Sequence, residues 1–204
     1  MSQLPPIILA SASPRRRALL EGLGLPIEVR VSRAKERENG QGKDIALENA
    51  RAKRDAVLDG AEPGAIVIAA DTVVMLDDHV LGKPVDESDA RRMLQLLSGR
   101  THSVVTGVAV AVAGSSRTAE GAEETHVTFC ALRAEDIQTF IEIVQPFDRA
   151  GAYTCDGPGS LLIERFDGCF YNVLGLPIVR LHRLLLELDI DLFSRLDAEW
   201  ARFL

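Results

Sequence analysis

Apolar positions cluster in short runs separated by polar turns, and their spacing switches between period two and period 3.6 along the chain. The densest run, Ala65 to Leu76, is broken only by Asp71 and Thr72 and is bounded by Pro63-Gly64 and Asp77-Asp78. Its β-branched composition predicts a central strand buried on both faces. Ile7-Ile8-Leu9-Ala10 predicts a shorter buried strand, followed by a turn at Ser11-Ala12-Ser13 and a helix from Pro14. Ser13 suits the N-cap and Pro14 the first helical position. Arg16 shares a helix face with Leu19, Leu20 and Leu23, so it points inward. Gly22-Leu23-Gly24 and Pro26 end that helix.

Ile27 to Val31 alternates like a half-exposed strand, and Ser32 to Lys43 reads as a polar surface loop. Asp44 is expected to cap a helix to about Leu58, with Ala46, Ala50, Lys53 and Val57 on one side. Asp86 to Ser98 is amphipathic, with Ala90, Met93, Leu94 and Leu97 inward and Gly99 as the stop. Thr101–Ala113 and His126–Leu132 read as strands of a hairpin, joined by a long connection from Gly114 to Glu124. A helix follows over Ala134–Val144, then a glycine-rich stretch, Asp148 to Gly159, with the character of a binding loop. Leu161–Phe166 reads as a strand, Pro177–Leu188 as a helix, and Leu192–Phe203 as a short amphipathic segment. Alternating strands and helices predict an α/β fold with at least one antiparallel hairpin. With no repeat and no linker, residues 1–204 read as a single domain.

The bulk numbers narrow the partners. The 204 residues are 47% hydrophobic and 26% charged, an ordinary globular composition. A net charge of −7 argues against nucleic acid or an anionic membrane as the main partner, while local cationic clusters still allow a polyanionic small molecule. Cys130, Cys155 and Cys169 lack metal-ligand spacing and suit free thiols in a reducing compartment. The first residues have no basic n-region and the apolar run after them is too short to span a membrane, so a cytoplasmic location is expected.

Arg15, Arg16 and Arg17 sit at the positive end of a helix dipole, where acidic residues are normally favoured. Alone they repel; around a phosphate they suit a bound anion. The plainer alternative is a solvated basic helix start. Asp71 interrupts a buried strand, where a carboxylate is costly without a cation or donors. It is either a cap for a neighbouring loop, or a metal ligand or water-orienting base at a cleft. Lys53 on its helix and Lys83 in Gly82-Lys83-Pro84 could reach phosphates, although single lysines are ordinarily surface residues. Glu36 lies in a charged loop. The four His lack ligand spacing, which argues against zinc, and no P-loop, dinucleotide fingerprint or nucleophile elbow is present.

Six motifs nevertheless stand in an order that resembles a known family. They are Leu9-Ala10-Ser11-Ala12-Ser13-Pro14-Arg15-Arg16, Ala70-Asp71-Thr72-Val73-Val74, Gly82-Lys83-Pro84, Thr106-Gly107-Val108, Ala150-Gly151-Ala152-Tyr153 and Asn172-Val173-Leu174-Gly175-Leu176-Pro177. Together, over about residues 7–188, they resemble the Maf family, named for septum formation and known as nucleoside triphosphate pyrophosphatases. The resemblance implies a two-lobed α/β fold around a long mixed sheet, similar to the inosine triphosphate pyrophosphatases, with the site in the cleft. It implies hydrolysis of a nucleoside triphosphate to the monophosphate and pyrophosphate, with a divalent cation (Mg2+ or Mn2+), as a house-cleaning activity. By motif position, Ser13, Arg16, Lys53 and Lys83 would bind phosphate, Asp71 would accept the proton of the attacking water, and Glu36 and Asp71 would hold the metal.

The resemblance is mixed where the base would be chosen. Arg15, Thr72 and Thr101-His102 are similar to the branch acting on dTTP and UTP. Asp156 stands where that branch usually has glutamine and where the 7-methyl-GTP branch carries an acid. The strand Leu162 to Gly168 also resembles the latter, which generally has Trp and Gln at the places of Arg15 and Thr72. Arg149 replaces the family's usual lysine. The balance leans to dTTP and UTP. Two other functions compete: a nucleotide-binding regulatory module affecting septum formation without turnover, and a phosphosugar or other phosphoester hydrolase. Phe193, Leu196, Trp200 and Phe203 either pack internally or form the seam of a homodimer.

Overall fold

The apolar run through Asp71 forms the middle of a seven-stranded mixed sheet in the computed structural model, which describes residues 5–37 and 40–196. In chain order the elements are β1 (Ile7–Leu9), α1 (Pro14–Gly22), β2 (Ile27–Val29), α2 (Gly42–Leu58), β3 (Ile66–Leu76) and β4 (His79–Leu81). There follow α3 (Glu87–Leu97), β5 (Thr101–Val112), β6 (Thr118–Phe129), α4 (Ala134–Val144), β7 (Ile163–Asp167), α5 (Phe170–Val173) and α6 (Ile178–Leu186). Strand order is β2-β1-β3-β5-β6-β7, with β4 paired to β3 beside that path. β1 runs parallel to β2 and β3, because α1 and α2 carry the chain back over the sheet. β3, β5, β6 and β7 are antiparallel.

Strand alternation sorts the core. Ile66, Ile68 and Ala70 of β3 and Val108, Val110 and Val112 of β5 pack with Leu20, Leu181, Leu184 and Leu185 under α1 and α6. Further along the same strands, Val74, Leu76 and Val104 pack with Ala90, Leu94, Ile137 and Ile141 under α3 and α4. Thr72 and Thr106, paired across the two strands, stand between these cores. A polar row therefore divides one face of the sheet into two lobes. α2 covers the other face, with Val57 over Val67 and Ala69, and with Ile45 and Ala46 over Val73 and Val105.

The hairpin departs from expectation. β6 begins at Thr118, not His126, and only a tight turn through Gly114 separates it from β5. Its first half is rich in Ala, Gly and Glu, without the β-branched signal of a strand. Those residues are what the neighbouring helices need. A Cβ on Gly121 would meet Arg180 and Leu184 of α6 at 3.4 and 3.5 Å. Glu120 pairs with Arg51 of α2, and Glu123 with Arg180 at 3.0 Å. Helix α2 also starts earlier than expected, at Gly42 behind Gln41, leaving Asp44 in the first turn near the positive dipole end. The 148–159 stretch is only partly an open loop: Gly151 to Cys155 are buried, and Ala152 and Tyr153 belong to the core under α3 and α4. Strand β7 starts at Ile163, after a 3-10 stretch over Gly157–Leu162. Phe193 and Leu196 are exposed, while Trp200 and Phe203 lie outside the described residues. Among the described residues no helix is long and apolar enough to cross a membrane.

Candidate active site

The site lies at a break in strand pairing. β3 leaves β1 after Ile68 and gains β4 only at Val74, so among the described residues its edge from Ala69 to Val73 is without a neighbouring strand on that side. Ser11 to Ser13, the start of α1, the loop bearing Glu36 and the Gly82-Lys83-Pro84 turn follow or precede the elements that flank this break.

Helix α1 starts as its sequence predicts. The Ser13 hydroxyl accepts from the Arg16 amide at 3.4 Å, and the Ser13 amide donates to the Ser11 hydroxyl at 3.2 Å. The three arginines then separate. Arg17 turns outward to Glu21 at 2.7 Å. Arg16 is buried, donating from Nε to the Gly175 carbonyl at 2.8 Å, from Nη1 to Ser11 Oγ at 3.1 Å and from Nη2 to Thr72 Oγ1 at 3.0 Å. Guanidinium has five N–H donors. Among the described residues those partners leave one N–H on each Nη, a fork of the spacing that matches two phosphate oxygens. Burial holds this guanidinium below its ordinary pKa and Arg15 adds to that, while the charges of Asp71 and Glu36 oppose it. Its direct partners among the described residues are all neutral oxygens. A desolvated cation so held gains from an arriving anion.

Asp71 approaches the break from the face covered by α2. Its Oδ1 accepts from Lys53 Nζ at 2.5 Å and its Oδ2 from Asn49 Nδ2 at 2.9 Å. Asn49 and Lys53 are one helical turn apart and so share a face. Gly107, opposite Asp71 in β5, lets α2 come this close: a Cβ there would lie 2.3 Å from the Ala46 carbonyl oxygen. Asn49 also anchors the preceding loop, accepting from the Arg37 amide at 2.7 Å and donating to its carbonyl at 3.0 Å. That clasp brings Glu36 to Lys53, at 2.8 Å. Burial alone would raise the Glu36 carboxyl, but the Lys53 hydrogen bond and the charges of Lys53, Lys83 and Arg16 together hold it below its ordinary value. Lys83 is exposed, yet its charge reaches Glu36. Its turn is tied down by the Gly151 amide, which donates to the Gly82 carbonyl at 3.0 Å.

The donor set fits a hard divalent cation. Two carboxylates, Asp71 and Glu36, already converge on one positive charge. Among the described residues no group of three or more His, Cys, Asp or Glu gathers. Mg2+ commonly takes only one or two carboxylates and completes its shell with water and phosphate oxygens.

Of the expected base-selecting residues, Thr72 stands in the polar row against Arg16, while Arg15 faces the charges of Arg149, Asp148 and Asp156. Arg15 is half-buried and its pKa is lowered, by burial first and then by Arg149, with Asp148, Asp156 and Cys155 opposing. Asp156 is exposed and accepts from Thr154 Oγ1. It lines a hollow of about 260 Å³ with Ile143, Val144, Arg149, Thr154, Gly157 and Pro158. Burial, reinforced by Asp156, pushes the Cys155 thiol up to about 12. A larger hollow, about 410 Å³, lies at the β2 edge of the sheet and includes none of these residues.

Thus Arg16, Lys53, Asp71, Glu36 and Thr72 are brought together, with Ser13 at the rim and Lys83 acting through its charge. Sequence reasoning missed Asn49, and it placed Ser11, Thr106, Asn172 and Gly175 in motifs without giving them, or the carbonyls of Asn172 and Gly175, a role. Asn49 was detectable as a polar residue one turn before Lys53 on an otherwise small, apolar helix face. The carbonyls carry no side-chain signal.

A two-cored α/β sheet with a cation-rich break in its strand pairing defines a protein suited to a compact polyanion. The chain belongs to the Maf-like protein family, whose model matches residues 6–188. Two Bacillus cereus proteins named dTTP/UTP pyrophosphatase are 44% and 43% identical to it over 187 residues, covering 91% of this chain and 96% of each relative. A relative of the same name from Bacillus thuringiensis is 43% identical over the same shares. A solved dITP/XTP pyrophosphatase of Mycobacterium abscessus is similar over 62% of this chain and 75% of its own, with 18% identity and a TM-score of 0.43, too slight a likeness to add to the fold.

Proposed function

We propose that this chain is a cytoplasmic nucleoside triphosphate pyrophosphatase that converts dTTP and UTP to their monophosphates and pyrophosphate. The observation that carries the reading is the Lys53 ammonium held between Asp71 and Glu36, beside a buried arginine that still has two N–H groups to offer. The names of the relatives supply the substrate. The three cysteines are free thiols, in keeping with a reducing compartment.

Each group has a task in that reaction. The Arg16 fork, the N–H groups at the start of α1 and the Ser13 hydroxyl bind phosphate oxygens. Lys53 turns from its carboxylates to the triphosphate, and Lys83 closes from the opposite rim. These cations spread the charge that develops on the departing pyrophosphate. Asp71, oriented through both oxygens, accepts a proton from the attacking water. Asp71 and Glu36 would also hold Mg2+ or Mn2+, which supplies Lewis-acid polarisation of the phosphate when bound. At the base, ionised Asp156 can only accept hydrogen bonds, and the N3–H of thymine or uracil is a donor. Arg15 and Thr72 stand with it as base-selecting residues.

The test is a panel of nucleoside triphosphates with Mg2+ or Mn2+, scored for pyrophosphate release, run on the native chain and on Asp71→Asn. The expected result is turnover greatest on dTTP and UTP, with a variant that binds nucleotide and does not hydrolyse it. A native chain that binds nucleotide without hydrolysing any of the panel would instead support a binding module.

A further inference from the structure

The polar row between the two cores contains a chain of hydroxyls whose proton directions are determined. Thr106 Oγ1 lies 3.0 Å from the Asn172 carbonyl oxygen, and a carbonyl cannot donate, so the Thr106 proton goes there. Thr72 Oγ1 lies 2.9 Å from Thr106 Oγ1. A hydroxyl has one proton, so in that contact Thr72 must donate. Thr72 Oγ1 in turn accepts from Arg16 Nη2 at 3.0 Å. The run is therefore Arg16 to Thr72 to Thr106 to the Asn172 carbonyl. The same short segment returns to Arg16, because the Gly175 amide donates to the Asn172 carbonyl at 2.9 Å and the Gly175 carbonyl accepts from Arg16 Nε at 2.8 Å.

Two consequences follow. Thr72 has no proton left for a substrate and can meet one only as an acceptor. Thr106, fully buried, reaches no substrate at all, yet it decides which way the Thr72 hydroxyl points. We propose that Thr106 is a positioning residue for the reaction: through Thr72 and the Asn172–Gly175 segment it aims the two free N–H groups of Arg16 at the phosphate. The inference rests on the pyrophosphatase reading of the cleft and adds to it a residue that acts wholly through Arg16. The neighbouring carboxamide reinforces the arrangement, Asn172 Nδ2 donating to the Val104 carbonyl at 2.8 Å and to Thr125 Oγ1 at 3.0 Å. The segment that receives the Thr106 proton is thus itself pinned to β5 and β6.

The test is a double-mutant cycle between Thr106→Val and Arg16→Met, read by calorimetric affinity for inorganic pyrophosphate and by kcat and KM on dTTP. Thr106→Val is expected to weaken pyrophosphate binding about tenfold, the worth of one aligned charge-assisted hydrogen bond, with a larger loss in kcat than in KM. Added to Arg16→Met, it should cost nothing further, because its target is already gone. Thr106→Ser, which keeps the hydroxyl, should restore native affinity. Thr72→Val breaks the run one hydroxyl nearer Arg16 and carries the cycle should Thr106→Val fail to fold. Losses that add in the double variant, or a Ser variant as impaired as Val, would overturn the positioning role while leaving the enzyme reading intact. A native chain that binds neither pyrophosphate nor nucleotide would overturn both.

Discussion

Replacing Lys53 with methionine keeps the length of the side chain and removes the ammonium that two carboxylates share. The Lys53 and Asp71 side chains are 12% and 9% exposed, so this contact behaves as a buried pair. Removing one partner of a buried pair costs roughly 3–5 kcal/mol. The Glu36 side chain is 50% exposed, and its contact with Lys53 adds about 0–1 kcal/mol. Asn49 still donates to Asp71 Oδ2, which places the sum near the lower end, about 3 kcal/mol. For a domain of this size that is a fall in Tm of roughly 6–12 °C. A divalent cation seated between Asp71 and Glu36 would replace the missing charge. At about a hundred times its Kd it would return about 2.7 kcal/mol. Thermal unfolding of the native chain and Lys53→Met, each with EDTA and with Mg2+, gives the comparison. The expected result is a deep loss in EDTA that Mg2+ largely repairs, with a much smaller Mg2+ effect on the native chain, where Lys53 competes for the same oxygens. A variant as stable as the native chain in EDTA, or equal Mg2+ shifts in both, would refute this account of the cluster.

Three further outcomes are expected. Asp156→Gln gives the base a group that both donates and accepts, and should raise the kcat/KM ratio of dTTP over 7-methyl-GTP about tenfold, the worth of one hydrogen bond, in competition assays. Gly107→Ala forces a Cβ against the Ala46 carbonyl and should lower stability by about 1–3 kcal/mol in denaturant titration. Its catalytic loss should exceed what unfolding explains, because α2 carries both Asn49 and Lys53. His102, 3% exposed, is lowered to about 4 by burial and meets the Tyr153 hydroxyl through Nε2 at 2.8 Å. Its native pKa lies below the unfolded one, so this contribution is whole above pH 6.5 and is lost as pH falls toward about 4. The loss amounts to about 3 kcal/mol. Stability measured across that window should fall less steeply in His102→Gln than in the native chain.

Much of the fold was legible because its elements follow simple rules. β3 announced itself by a long, β-branched apolar run broken only at Asp71 and Thr72, and α3 by Ala90, Met93, Leu94 and Leu97 on one face between Asp86 and Ser98, its observed caps. The first half of β6 was not legible, since its Gly121 and its glutamates serve helices far away in sequence. The inward course of Arg16 was readable from its spacing to Leu19, Leu20 and Leu23, and Asp71 from the cost of a carboxylate in an apolar strand. What could not be read was that these two residues come to the break from opposite faces of the sheet. Nor could the sequence show that the Gly175 carbonyl accepts from the arginine, or that the Asn172 carbonyl accepts from Thr106 behind it. Strand register and backbone acceptors arise from tertiary pairing and leave no residue-type signal.

Incubating the native chain with dTTP and a divalent cation, then separating the products, tests the central claim most directly. The account predicts dTMP and pyrophosphate in equal amounts, and neither product from Asp71→Asn. Formation of dTDP with orthophosphate, or an Asp71→Asn variant as active as the native chain, would contradict it.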